Sequence, residues 1–292
     1  AYWRGRLVDL PERHALPLDK PRPPTQRYTG GVVRSELEAG LVDALRRLAQ
    51  ADGTTLFVVL QAAFATLLHR CSGESDIVFG TPVANRERPE LAALAGCLIN
   101  SVVLRHDFSI SIAPTFREVL REARVRTREA LVHQALPFER LVAELSPRRS
   151  AAHHPLFQIL LSFEPPAGDG FARAGLAAEW LDAGYASAKF DLTLSIREHG
   201  DELHLEWLYA DSLFAHDRID AMARGFEVLL RDMTETPDRP VAELLLVDAP
   251  MQTQLLALGT GSSNGIGRER LLREAIAATA RRAPTAAAVR DA

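Results

Sequence analysis

The chain predicts an α/β sandwich on a mixed sheet, and three observations carry that reading. Segments with helical spacing alternate with short apolar runs of strand character. One pair of strands is joined by a tight turn, and an all-parallel sheet has no place for such a hairpin. At 292 residues with 47% hydrophobic and 25% charged residues, the chain has the bulk and balance of a globular protein with a sizeable core.

The elements follow in order. Residues 7–31 are rich in Pro, Arg and Gly, and Pro21-Arg22-Pro23-Pro24 predicts an extended surface strap. From Ser35 to Ala51, Leu37, Leu41, Leu45 and Leu48 recur at helical spacing, with Gly53 to stop the helix. Thr54 or Thr55 caps a second helix, Leu56 to His69, which is apolar nearly all round and therefore expected deep in the core. Ile77-Val78-Phe79 reads as a buried strand that leaves into a loop at Gly80-Thr81-Pro82, and Leu98 to Arg105 as another strand. Thr115-Phe116-Arg117-Glu118 fits a capping box ahead of a helix through Leu131. Pro137 starts a short helix, Phe138 to Leu145, and Leu156 to Phe163 is a further strand. Residues 165–175 read as a mobile loop. Leu192, Leu194 and Ile196 alternate, as do Leu203, Leu205, Trp207 and Tyr209, and His199-Gly200-Asp201 joins the two runs as a hairpin. A long helix follows from Asp217, with Ile219, Met222, Phe226, Leu229 and Met233 on one face. Residues 237–267 carry the Pro and Gly/Ser signature of a linker, and Arg268 to Ala288 reads as a helix followed by a truncated element.

Several function classes find no support. The net charge is −4, and no Lys/Arg stripe interleaves with aromatics, so nucleic acid is not an expected partner. The Arg121–Arg128 run alternates with Glu and reads as a solvated helix face. The longest apolar stretch, Leu56 to Leu68, is too short to span a bilayer, and no signal peptide opens the chain. Cys71 and Cys97 have no metal-ligand spacing and read as inert core thiols, which suits a cytoplasmic setting. Gly259 to Gly267 imitates a phosphate-cradling loop, but its glycine spacing fits no such pattern and no Lys follows; it reads as linker. No metal site is expected.

Three segments carry a more specific signal: Gly96-Cys97-Leu98-Ile99-Asn100-Ser101-Val102-Val103-Leu104-Arg105, His133-Gln134-Ala135-Leu136-Pro137-Phe138-Glu139, and Pro155-Leu156-Phe157-Gln158. In this order and spacing they resemble three signature motifs of the condensation domains of nonribosomal peptide synthetases. Tyr2-Trp3-Arg4, the Leu16–Pro23 run, Gly80-Thr81-Pro82-Val83-Ala84-Asn85-Arg86 and Phe190-Asp191-Leu192 with Ser195 extend the likeness to about Asp248. Beyond it, Arg270 to Ala292 resembles the opening helix of an adenylation domain.

The resemblance implies one lobe of a two-lobed, chloramphenicol-acetyltransferase-like fold. It divides the chain into a crossover strap from an N-terminal lobe (1–31), the C-terminal lobe (32–236), a linker (237–267) and the start of an adenylation domain (268–292). It implies amide-bond formation between a donor acyl or peptidyl thioester and an acceptor aminoacyl thioester. Both ride on phosphopantetheine arms of donor and acceptor carrier domains, and no cofactor is bound by this chain itself. The expected partners are those carriers, the first lobe of the same domain and the neighbouring adenylation domain.

The family's catalytic motif, His-His-x-x-x-Asp-Gly, does not occur in these 292 residues. His153-His154 is not that motif, because Gln158 and Ile159 stand where Asp and Gly are needed. Both ends read as cuts through a longer polypeptide, no catalytic residue is assigned, and the chain alone is expected to be inactive. By resemblance, Asn100, His133, Gln134, Pro137, Phe138, Glu139, Phe157, Gln158, Glu164 and Ser195 belong to the substrate tunnel or carrier side. Gly80, Thr81, Pro82 and Arg86 belong to a loop at the tunnel floor. Some of these also have a plain structural reading. Asn100 satisfies backbone groups, Pro137 and Phe138 nucleate a helix with Glu139 near its positive end, and Arg86 pairs with a carboxylate or faces solvent. Glu164 stands where the family often has Gln or Asn, a departure that alters acceptor choice or faces solvent. Two other readings stay open: a non-catalytic condensation-like module that recruits carrier or tailoring proteins, and an epimerisation or cyclisation variant. Asn100 and the Pro-Leu-Phe-Gln string favour ordinary condensation.

Overall fold

The computed structural model describes residues 1–86, 88–92, 94–145, 148, 150–164, 186–260, 272–285 and 287. The stretch read as a mobile loop, 165–175, lies outside them. Two units divide at Asp248, Ala1–Asp248 and Ala249–Ala292.

The first unit holds a six-stranded mixed sheet. Its strands are β1 (Gly30–Leu37), β2 (Asp76–Val83), β3 (Asn100–Asp107), β4 (Ile159–Glu164), β5 (Leu192–His199) and β6 (Glu202–Ala210), in the order β1-β6-β5-β4-β2-β3. β4 runs parallel to β2 and β5, and every other pair is antiparallel. The mixed sheet with packed helices bears out the α/β reading. Gly200, at φ 60°, makes the predicted hairpin turn between β5 and β6.

Helix α1 is Tyr2–Arg6, α2 is Ala39–Ala51, α3 is Leu56–Ser72, and α4 is the single turn Pro89–Ala92. Then come α5 (Phe116–Val132), α6 (Phe138–Leu145) and α7 (His216–Glu235). α3 is the spine of the core, with every residue from Val58 to Leu68 buried. Thr55 caps its N-terminus by accepting from Val58 N, and Gly73 ends it in the left-handed region. Against α3 stand Phe79 of β2, Trp207 of β6 and Phe226 of α7, their rings 5.4–6.3 Å from that of Phe64. The capping box at α5 is present: Glu118 N donates to Thr115 Oγ1, and Thr115 N to Glu118 Oε2.

The sequence reading is corrected at several places. Ser35 to Leu37 are strand, not helix: β1 pairs with β6 over eight positions from Gly30 to Leu37, and α2 begins only at Ala39. Leu37 is buried on either reading, so apolar spacing could not separate the two. Gly80, Thr81 and Pro82 are not a loop, because β2 continues through them to Val83 in register with β3. Leu98 and Ile99 precede β3, and Leu156 to Gln158 precede β4. The stretch read as linker is structured in part. Val241 and Leu244 are buried in the first unit, and helix α8 spans Ala249–Gly259. Helix α9 is Leu272–Arg282. Cys97 is exposed rather than a core thiol, whereas burial pushes the Cys71 thiol up and keeps it protonated. Among the described residues, no single helix is long and apolar enough to cross a membrane.

One polar cluster lies inside this core. Thr127 of α5 donates to Gln61 Oε1 at 2.8 Å, and Gln61 Nε2 meets His106 Nε2 of β3 at 3.0 Å. His106 Nδ1 is buried and has no hydrogen-bond partner among the described residues. Burial holds the His106 pKa down at about 3, with Arg6 and Arg126 adding to the shift. A pKa lowered by folding means that the unfolded chain binds the proton first. Stability is therefore full above about pH 6.5 and falls as pH drops toward 3, with a limiting slope of about 1.4 kcal/mol per pH unit. Burial lowers the His154 pKa in the same direction. Urea titrations from pH 7 to 4 are expected to show this fall, and a His106→Gln variant should flatten it. An unchanged slope in the variant would assign the proton uptake elsewhere.

Candidate functional site

The segments singled out in the sequence form three groups about the sheet.

The first group centres on Asn100, at the start of β3. Its Nδ2 donates to the carbonyls of Gln134 and Leu136, both at 2.8 Å, and its Oδ1 accepts from Phe138 N at 3.0 Å. One side chain therefore fixes the turn that follows α5 and caps α6, whose first turn contains Glu139. This matches the structural reading of Asn100. Gln134 is buried, while Pro137 and Glu139 are exposed. His133 is exposed, stacks on Tyr2 at 4.1 Å, and its carbonyl accepts from Trp3 Nε1. The His133–Glu139 motif is thereby tied to α1. Asn100→Ala removes a cap and leaves the Gln134 and Leu136 carbonyls without that donor; a loss of about 1–3 kcal/mol is expected in denaturant melts. A loss under about 0.5 kcal/mol would mean water replaces the amide at little cost.

The second group is the Pro-Leu-Phe-Gln segment. Leu156 sits at φ 67°, a strained conformation for a branched side chain, and the chain reverses there so that Phe157 and Gln158 diverge. Phe157 turns inward over Gly80 of β2, among the rings of Phe138, His154 and Phe190 at 5.2–5.4 Å. A Cβ on Gly80 would lie 2.2 Å from the Phe157 ring, so this glycine is required by packing rather than by a turn. Gln158 reaches the strap: its Nε2 donates to the carbonyls of Glu12 and His154, and its Oε1 accepts from His14 N.

Beside Gln158 lies a group that the sequence reading missed. Asp191, 1% exposed, takes His14 Nε2 at 2.9 Å and both terminal nitrogens of Arg22. Burial alone would raise its pKa, but the hydrogen bonds and charges of His14 and Arg22 outweigh this and hold the carboxyl below the usual carboxylate range. The signal available was the pairing of a charged residue at a strand start with His14 and Arg22 in an otherwise apolar and Pro-rich context. No local spacing rule links residues that far apart.

The third group is a groove of about 460 Å³ across the open face of β1, β6, β5 and β4. Glu164 and Ser195 both line it. Ser195 lies opposite Glu206 on β6, and Glu164 opposite Arg197 on β5. Arg197 donates to Glu164 Oε2 at 2.8 and 3.0 Å, and Arg34 to Glu206 Oε2 at 3.1 Å, so cross-strand ion pairs line the groove. Arg34, Arg197 and Glu206 were not among the residues picked from the sequence. Arg86 stands apart. Among the described residues its partners are the carbonyls of Leu91, Leu94 and Gly96 rather than a carboxylate, so it organises the stretch leading to Gly96 by backbone bonding.

The family model described as "Condensation domain" matches residues 1–256 of this chain. The chain belongs to the condensation-domain family. Its relatives include a probable non-canonical nonribosomal peptide synthetase, CymA, from Salinispora arenicola, 38% identical over 99% of this chain. One of the linear gramicidin synthase polypeptides of Brevibacillus parabrevis is 37% identical, again over 99% of this chain. The chain spans 4% of the length of each of these relatives. A four-domain nonribosomal peptide synthetase, solved in its holo form with AMP and glycine, matches with a TM-score of 0.77 and 27% identity; the match covers 86% of this chain and 20% of that one. The mixed six-stranded sheet is accordingly the chloramphenicol-acetyltransferase-like fold of condensation domains. Within this condensation-domain chain, the three motifs are held in place by named bonds: Asn100 to the His133 segment, Phe157 over Gly80, and Gln158 to the strap.

Proposed function

We propose that this chain supplies one lobe of a condensation domain that forms amide bonds in a multimodular peptide synthetase. The observation that carries the proposal is the family match over residues 1–256 in a sequence that lacks His-His-x-x-x-Asp-Gly. The chemistry asked of the domain is modest. A thioester is already activated, so holding the acceptor amine against the donor carbonyl and moving one proton provide much of the acceleration. In this reading the histidine motif comes from the first lobe, and the present chain contributes a wall. Glu164, Ser195 and their ion-paired neighbours face the substrates, and the Asn100–Phe138 and Phe157–Gly80 contacts hold that wall rigid. The substrates arrive on phosphopantetheine arms of donor and acceptor carriers, and an adenylation domain is the expected neighbour in the assembly.

The test is reconstitution. The chain is mixed with donor and acceptor carriers loaded with aminoacyl groups, with and without a first-lobe polypeptide bearing the histidine motif, and carrier-bound products are read by mass spectrometry. Dipeptidyl product only in the presence of both lobes is the expected result. Turnover by the chain alone would overturn the assignment of the chemistry to the other lobe. Carrier binding without product in the two-lobe mixture would favour a recruiting module.

A further inference from the structure

A second cavity, of about 310 Å³, lies away from the groove, beneath the strap. Its walls come from strap residues Asp9 to Leu16, the end of α3, the start of β2 and residues 156–159. The floor is apolar: Leu68, Ile77, Phe157 and Ile159 are all buried. That volume falls at the small end of ligand pockets, about 300–1,000 Å³, and apolar walls with a few polar groups are their usual make-up.

Two features mark the cavity as built rather than left over. Among the described residues, four other than glycine have positive φ, and two of them, Asp9 at 52° and Leu156 at 67°, line this space. Leucine in that region is strained, and strain of this kind persists only where surrounding contacts impose it. The polar groups at the inner end are already satisfied, His14 by Asp191 and Gln158 by the Glu12 and His154 carbonyls and the His14 amide. Polar recognition therefore falls to the rim. There Asp9, Glu74 and Asp76 face one guanidinium among the lining residues, that of Arg13. Asp76 is bonded to Arg105, which leaves exposed Asp9 and Glu74 against Arg13. The rim therefore carries a net negative charge when Arg105 is counted with it.

We infer that this cavity binds a small amphipathic amine, with the apolar body against Leu68, Ile77 and Phe157 and the ammonium at the Asp9–Glu74 rim. Such a ligand joins the strap to the sheet and is independent of the carrier-bound substrates at the groove.

The whole 292-residue chain is to be titrated with tryptamine and, in parallel, with indole-3-acetate, which has a similar ring but the opposite charge. Saturable one-to-one binding of tryptamine by calorimetry is expected, with indole-3-acetate weaker by about fivefold or more, the scale of one exposed ion pair. Ala15→Trp, at an exposed position on the mouth, should abolish binding while leaving the melting temperature near that of the parent. The double variant Asp9→Asn, Glu74→Gln alters only exposed carboxylates and should weaken tryptamine by about two- to fivefold while strengthening indole-3-acetate, so that the two ligands converge. Equal binding of the two ligands, undiminished binding by Ala15→Trp, or no tryptamine binding up to about 10 mM would each overturn the inference.

Discussion

Asp191→Ala is expected to cost the fold about 3–5 kcal/mol, the scale for removing one partner of a buried ion pair. The Asp191 side chain is 2% exposed, and the Arg22 and His14 side chains facing it are 9% and 8% exposed. Cutting it away leaves a guanidinium in a site where water cannot easily replace the lost oxygen atoms. The Arg22 Nη1 bond to the Ala152 carbonyl survives but meets only part of that need. The loss should also have a local signature, because Arg22 makes the side-chain bonds that anchor the strap between Lys20 and Gln26. Limited proteolysis should cut the variant there well before the parent. Asp191→Asn keeps the shape and is expected to fall between the two. The carboxyl pKa is depressed in the fold, so its contribution is complete above the unfolded value of about 3.9 and is lost as pH falls through the lower folded value. Equal denaturation midpoints for parent and Asp191→Ala would show that the strap is held by its other contacts, those of Gln158 and Arg218 among them.

Gly80→Val is expected to be nearly as damaging, at about 2–4 kcal/mol, because overpacking here cannot be relieved by a flexible chain end. The added Cβ falls 2.2 Å from the Phe157 ring, and that ring is boxed in by Phe138, His154 and Phe190. Phe157 cannot retreat without moving the Leu156 reversal and, through Gln158, the strap. A double-mutant cycle with Phe157→Leu separates this cause from the general unsuitability of other changes at a central strand. If the close approach is responsible, the smaller side chain at 157 should recover a large part of the loss, with a coupling of about 1 kcal/mol or more. Strict additivity would place the cost in the strand backbone instead.

Much of this architecture is legible in the sequence. α3, the α5 capping box, the β5–β6 hairpin and α7 each rest on a local pattern: a cap, a glycine in a turn, or a repeat of apolar residues. The errors arise where long-range pairing overrides local character. Gly80-Thr81-Pro82 has the composition of a loop, yet pairing with β3 carries it through as strand, and the glycine answers to an aromatic ring from residue 157. Leu37 satisfies a helical repeat and a strand alternation equally well, and only β6 decides between them. For the site, the motif resemblance points to Asn100 with Gln134 and Phe138, to Phe157 with Gly80, and to Gln158, Glu164 and Ser195, but not to the charged groups around the last three. Asp191, Arg197, Arg34 and Glu206 act through cross-strand or strap contacts, which periodicity within a single segment cannot reveal.

The strap also constrains the order in which the chain can assemble. His14 and Arg22 close on a carboxylate 177 and 169 residues later, and Asp19 on Arg218, 199 residues later. Among the described residues, β1 likewise has β6 as its one strand neighbour. The strap and β1 thus lack these native partners until nearly the whole first unit has been made. Such high contact order slows folding, and translation at about 5–20 residues per second leaves the early apolar side chains exposed for on the order of ten seconds or more. The proline content of the strap suits that interval. A segment that cannot form a hydrogen-bonded ladder is a poor template for aggregation while it waits for the strand that will receive it.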